Sequence, residues 1–269
     1  MKHIFTMLLA FFATCCAAST PTDPVQGPHV AILGDSNTWM GGDDCSGDEA
    51  WPKWFKQLYP TASCRSYARS GATWTNTPRT VLNTAEDTAL LADNNVIFNQ
   101  VQRLIEAHSA GIQPTPQLII IAAGVNDAWF NDMRPDAFTL SPQEASFRRD
   151  WSYLYDRTPD QVLTLAESVA YNCHLLQQAF PEAHIVLVTP AHSIEVKPWV
   201  INTVGAIITA VATRLRIYSI SLNHLSPIKY EDEKRHFTYT SDGTHTNTLG
   251  ARVHGKIIAE YIAALNLKF

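Results

Sequence analysis

The sequence is poor in charge: Asp, Glu, Lys and Arg make up 17% of its 269 residues, and the formal net charge is −5. No cluster of Lys and Arg occurs. That excludes the electrostatic footprint by which proteins hold nucleic-acid phosphates or an anionic membrane surface. A small neutral or basic substrate, or a polysaccharide, is compatible with this balance. Cysteine is also scarce, with five in all. Cys45, Cys64 and Cys173, which lie beyond the N-terminal segment, show neither CxxC spacing nor paired histidines, which argues against a structural zinc site. Internal repeats and low-complexity linkers are absent. Hydrophobic residues reach 46%, enough for a substantial core, and the length fits one large α/β domain as readily as two small ones.

The N-terminus differs from the rest. Lys2 precedes an apolar run, Ile4 to Ala13, and then the small residues Ala17-Ala18-Ser19. This pattern predicts a signal peptide over residues 1–18, followed by an exposed lead over 19–28. The run is too short to span a bilayer, so an exported protein, periplasmic or extracellular, is expected. Lipidation at Cys15 or Cys16 is an alternative, although Phe12-Ala13-Thr14 is a poor lipobox. An oxidising compartment permits a disulfide, with Cys45 and Cys64 as the expected pair. Cys173 falls in the helical stripe Val162, Leu165, Val169, Cys173, Leu176, Phe180 and is expected to be a buried free thiol.

Five short apolar runs read as strands: His29–Leu33, Ser63–Tyr67, Gln117–Ala122, His184–Thr189 and Arg216–Leu222. Helical periodicity lies between them, around Trp51–Leu58, Ile97–His108, from Thr158-Pro159-Asp160-Gln161 onward, Trp199–Leu215 and Asn247–Leu265. Such alternation predicts parallel strands, right-handed crossovers and helices on both faces, with ligands bound beyond the carboxyl ends of the strands. One domain, residues 29–269, is expected, and residues 128–157 read as an insertion over the strand ends.

Chemistry-bearing residues follow the strands. The first run ends in Gly34-Asp35-Ser36-Asn37, a turn that would point a serine hydroxyl out of the sheet at a helix N-terminus. The second leads to Ser70-Gly71-Ala72, where glycine lets a backbone N–H approach a ligand. The third ends in Gly124-Val125-Asn126-Asp127, which offers an amide donor, and Asp127 is assigned to loop hydrogen bonding. Before the last helix comes Ser241-Asp242-Gly243-Thr244-His245, an acid placed to hold a histidine ring. Together these supply an acyl transfer: Ser36 as nucleophile, His245 as base and Asp242 as its orienter. The N–H groups of Ser36 and Gly71 and the Asn126 amide would form the oxyanion hole. His192 and the helix histidines His108, His174 and His254 read as structural.

The motifs GDSNTW, SGATW, GVNDAW and DGTH resemble blocks I, II, III and V of the SGNH (GDSL-type) hydrolases, over residues 30–262. The resemblance implies a three-layer α/β/α, flavodoxin-like fold around a five-stranded parallel sheet. It also implies esterase, lipase, thioesterase or carbohydrate-deacetylase activity without a metal or other cofactor. It assigns Ser36, Asp242 and His245 to the catalytic triad and Ser36, Gly71 and Asn126 to the oxyanion hole. Block I departs from the commoner GDSL or GDSI in reading GDSN.

Trp39, Trp74 and Trp129 each fall three residues after Ser36, Gly71 and Asn126. Indoles suit sugar faces and equally suit packing beneath loops. Read as a substrate-binding rim on an exported acidic protein, they point to an ester on carbohydrate, most simply O-acetyl. A lysophospholipase or thioesterase, or an inactive glycan-binding protein, are the alternatives.

Overall fold

The computed structural model describes residues 27–85, 89 and 91–269. The expected signal segment, Cys15, Cys16 and most of the lead lie outside the described residues. Five strands, β1 (His29–Gly34), β2 (Ser63–Ser66), β3 (Leu118–Ala122), β4 (His184–Val188) and β5 (Tyr218–Ile220), form one all-parallel sheet in the order β2-β1-β3-β4-β5. Among the described residues the α-helices, in chain order, are α1 (Ser36–Trp39), α2 (Trp51–Leu58), α3 (Ile97–Ser109), α4 (Val125–Trp129), α5 (Pro142–Phe147), α6 (Leu165–Ala179), α7 (Pro198–Leu215), α8 (Leu222–Leu225), α9 (Tyr230–His236) and α10 (Thr248–Ala264).

Side-chain alternation along the strands divides the interior into two layers. Ala31, Leu33, Ile119, Ile121, Ile185 and Leu187 face α3, α6 and α7. Val30, Ile32, Leu118, Ile120, Val186 and Val188 face α2 and α10. Gly255 lets those last two helices close together, since a Cβ there would come within 2.5 Å of Trp54 Cβ. The three-layer α/β/α expectation therefore holds.

One expectation changes. The capping box at Thr158 is present, but it closes only a 3₁₀ turn, Pro159–Gln161. The long helix α6 begins after Thr164, whose side chain accepts from the Glu167 N–H at 3.1 Å. The 128–157 segment is tied to the loop that follows β2. Arg134 there donates to Thr75 O, and just beyond the segment Pro159 O accepts from the Asn76 amide. Its middle runs down the outer helix layer, where α5 packs on α7 and Arg214 reaches Ser146 O. Ala145, Trp151 and Leu154 are buried in that layer's core, which gives the segment its anchor.

Cys45 and Cys64 are both buried, with their sulfurs 3.5 Å apart as thiols. Cys173 is fully buried, and burial pushes its thiol up to about 12.

Candidate active site

The sheet order reverses direction between β1 and β3, which opens a crevice at their carboxyl ends. Into it β1 delivers Ser36. Asp35 caps α1 by accepting from the Asn37 N–H at 3.1 Å, so Ser36 stands at the first helical position. Gln100, buried on α3, accepts from Gly34 N–H and donates to Gly34 O, both at 2.8 Å. This pins the backbone immediately before the serine.

His245 reaches the same point from the far end of the chain. Its Nε2 lies 2.9 Å from Ser36 Oγ, and its Nδ1 lies 2.7 Å from Asp242 Oδ2. The other oxygen of Asp242 accepts from the N–H groups of Thr244 (2.9 Å) and His245 (2.8 Å). The loop turns at Gly243, whose φ of +88° favours glycine; a Cβ there would meet Ile194 at 2.3 Å. Burial works to raise the Asp242 carboxyl, but the hydrogen bonds from His245 and Thr244 outweigh it and hold it below the ordinary carboxylate value.

Three groups on the loops after β1, β2 and β3 keep a hydrogen to donate. Among the described residues, the N–H groups of Ser36 and Gly71 have no hydrogen-bond partner, and Gly71 adopts φ +77°. Asn126 spends one amide hydrogen on Ala72 O at 2.9 Å, which ties the second loop to the third and leaves its other hydrogen free to donate. Asp127 accepts from Trp74 N–H (3.0 Å), Thr75 N–H (2.9 Å) and Thr75 Oγ1 (2.8 Å), a loop-holding role.

The proposed aromatic rim divides. Trp39 and Trp129 are 43% and 38% exposed, the latter stacked on Phe130 at 5.6 Å. Trp74 must be withdrawn from the substrate-binding set, because it is fully buried and its indole N–H donates to Ala123 O at 3.2 Å. The Asp127 carboxylate draws its loop down onto α4, so the ring turns into the core.

Several residues that matter to this geometry carried no expectation. Asn37 reaches across to the histidine loop: its Nδ2 donates to Thr244 O (3.3 Å) and its Oδ1 accepts from Thr246 N–H (3.0 Å). It thereby grips the backbone on both sides of His245, and its only sequence signal was the departure from GDSL. Glu233, buried on α9, accepts from Tyr239 N–H, Thr240 N–H and Thr240 Oγ1 and braces the base of that loop. Asp35 is buried beside the nucleophile, and burial pushes its carboxyl up to about 7. His254 is paired with Ser226 at 2.7 Å, and burial lowers it to about 4. His192 is half-buried with its Nδ1 unpartnered, and burial holds its pKa below the ordinary histidine value.

Comparison with known proteins identifies the family and the fold. A family model described as GDSL-like lipase/acylhydrolase matches residues 32–253. Among solved structures, a lipase/acylhydrolase from Enterococcus faecalis is similar at 15% identity and a TM-score of 0.51, covering 88% of this chain and 96% of that one. A protein from Lactobacillus plantarum reaches 0.55 at 14% identity, covering 88% and 96%. An acetyl xylan esterase reaches 0.52 at 14% identity, covering 87% and 99%. Among curated protein sequences none matches the chain.

Proposed function

The chain belongs to the GDSL-like lipase/acylhydrolase family and is a serine hydrolase acting on esters, and from that premise we propose that it removes O-acetyl groups from carbohydrate through an acyl-enzyme on Ser36. The unbroken relay Ser36–His245–Asp242, at 2.9 and 2.7 Å, carries the mechanism. His245 Nε2 takes the serine proton as Oγ attacks the ester carbonyl. Asp242 holds the ring through Nδ1–H and stabilises the imidazolium. The carbonyl oxygen becomes an oxyanion among the Ser36 and Gly71 N–H groups and the remaining Asn126 amide hydrogen. As the tetrahedral species collapses, His245 returns the proton to the departing sugar hydroxyl. Water, activated by the same histidine, then releases acetate.

For the substrate, the supporting observations are the half-exposed Trp39 and Trp129 beside Ser36 and Asn126 and the likeness to an acetyl xylan esterase. The reading places the enzyme outside the cytoplasm, as the segment after Lys2 suggests. The test is an acyl chain-length series of 4-nitrophenyl esters, followed by O-acetylated oligosaccharides. Highest kcat/KM on acetyl is expected, with Ser36→Ala reduced to residual activity. Preference for long acyl chains would replace this substrate with a lysophospholipid or thioester.

A further inference from the structure

Trp199, on the first turn of α7, is 68% exposed, more than any other large apolar side chain among the described residues. It does not stand alone. Trp199, Val200 and Thr203 form one wall of a groove of about 450 Å³ whose other wall carries Asn131, Asp132 and Phe138.

Both walls are direct continuations of the catalytic loops. Asn131 lies two residues beyond α4, whose second residue is the proposed oxyanion donor Asn126. Trp199 follows the loop after β4, where Ile194 N–H donates to Gly243 O and Ser193 Oγ lies 2.6 Å from Thr244 Oγ1. Helices α4 and α7 pack against each other. The groove is therefore built on the chain segments that continue from the loops after β3 and β4, between α4 and the start of α7.

Its chemistry is specific. One broad aromatic face is flanked by an amide, a carboxylate and a hydroxyl. Among the described residues, the side chains of Asn131 and Asp132 make no hydrogen bond within the protein. Thr203 spends its hydrogen on Trp199 O at 2.9 Å and keeps oxygen lone pairs to accept with. A long acyl chain could use none of these polar groups, whereas a sugar ring offers an apolar face to the indole and hydroxyls to the rim.

We propose that this groove is a carbohydrate subsite that holds the part of the glycan chain flanking the acetylated residue, with Trp199 as its stacking platform. The inference rests on the glycan-ester reading above. It is tested with Trp199→Ala, Trp199→Phe and Asp132→Ala, each compared with wild type. Substrates are 4-nitrophenyl acetate and a panel of O-acetylated xylo-, manno- and galacturono-oligosaccharides. The ratio of kcat/KM on the best oligosaccharide to that on 4-nitrophenyl acetate should fall about three- to tenfold in Trp199→Ala, mainly through KM. It should recover largely in Trp199→Phe and fall less in Asp132→Ala. An unchanged ratio in both alanine variants, with the wild type active on the oligosaccharide, would overturn the subsite and leave the proposed function standing. A wild type that cleaves 4-nitrophenyl acetate but none of the glycan acetates would remove the glycan-ester reading and this subsite together.

Discussion

Asp35 offers a quantitative test of the site's electrostatics. Its carboxyl is buried directly before the nucleophile and ionises near 7 rather than 3.8, because burial penalises the charged form more than the N–H bonds from Asn37 and Val125 favour it. Between about pH 4 and 7 the folded protein keeps a proton that the unfolded chain has released. Stability must therefore fall as pH rises through that window and level off above it. At about 1.4 kcal/mol per pH unit, the full span is worth about 4 kcal/mol, an upper figure that relaxation of a buried site reduces. Asp35→Asn keeps an oxygen to accept from the Asn37 N–H and never ionises. Urea unfolding of both proteins from pH 4 to pH 8 should give matching stabilities at pH 4. The variant should become more stable by about 2–4 kcal/mol at pH 8. The more stable protein should also be the slower enzyme, since an ionised Asp35 attracts the His245 imidazolium that forms in the transition state. A stability difference that stays constant across the pH range would show that Asp35 titrates as an ordinary carboxylate.

Asn37→Ala, by freeing the backbone around His245, should lower kcat by about ten- to a hundredfold with little change in KM, as steady-state kinetics on 4-nitrophenyl acetate will show. An unchanged kcat would make the two hydrogen bonds incidental. Asn126→Ala should lower kcat by about a hundred- to a thousandfold, and an effect confined to KM would make it a ground-state contact. Trp74→Ala should destabilise the fold by about 3–5 kcal/mol in urea unfolding, whereas Trp39→Ala should change stability by well under half of that.

The strands were readable because a sheet covered on both faces demands continuous apolar runs, and the VAIL and LIIIA stretches have no other comfortable home. Their ends were less readable. Arg216, expected to open the last strand, instead takes a left-handed conformation (φ +57°) that ends α7. The α6 start was misplaced because Thr158 and Thr164 carry the same local signal, each with an acid or amide three residues on. What separates them is tertiary: Val162 must first turn into the core, and its backbone O is held by Asn76.

The same limit explains the three tryptophans. Equal spacing from Ser36, Gly71 and Asn126 fixes where each chain segment starts, but not which way its ring turns. Trp74 lies in a loop whose N–H groups are taken by the buried carboxylate of Asp127, and that anchor turns the indole inward. Trp39 and Trp129 sit at the last positions of short helices and stay exposed. Motif letters identify the reacting groups because chemistry constrains their type. The groups that aim them, Asn37 for the histidine loop, Gln100 for the serine turn and Glu233 for the base of the last loop, are constrained only by where other segments fall. Asn37 and His245 are far apart in sequence, and only the sheet's topology makes one the holder of the other. A substrate groove is less legible still. Trp199 belongs to no motif, and its claim to a sugar rests on the opposing wall, which a segment outside the shared motifs supplies.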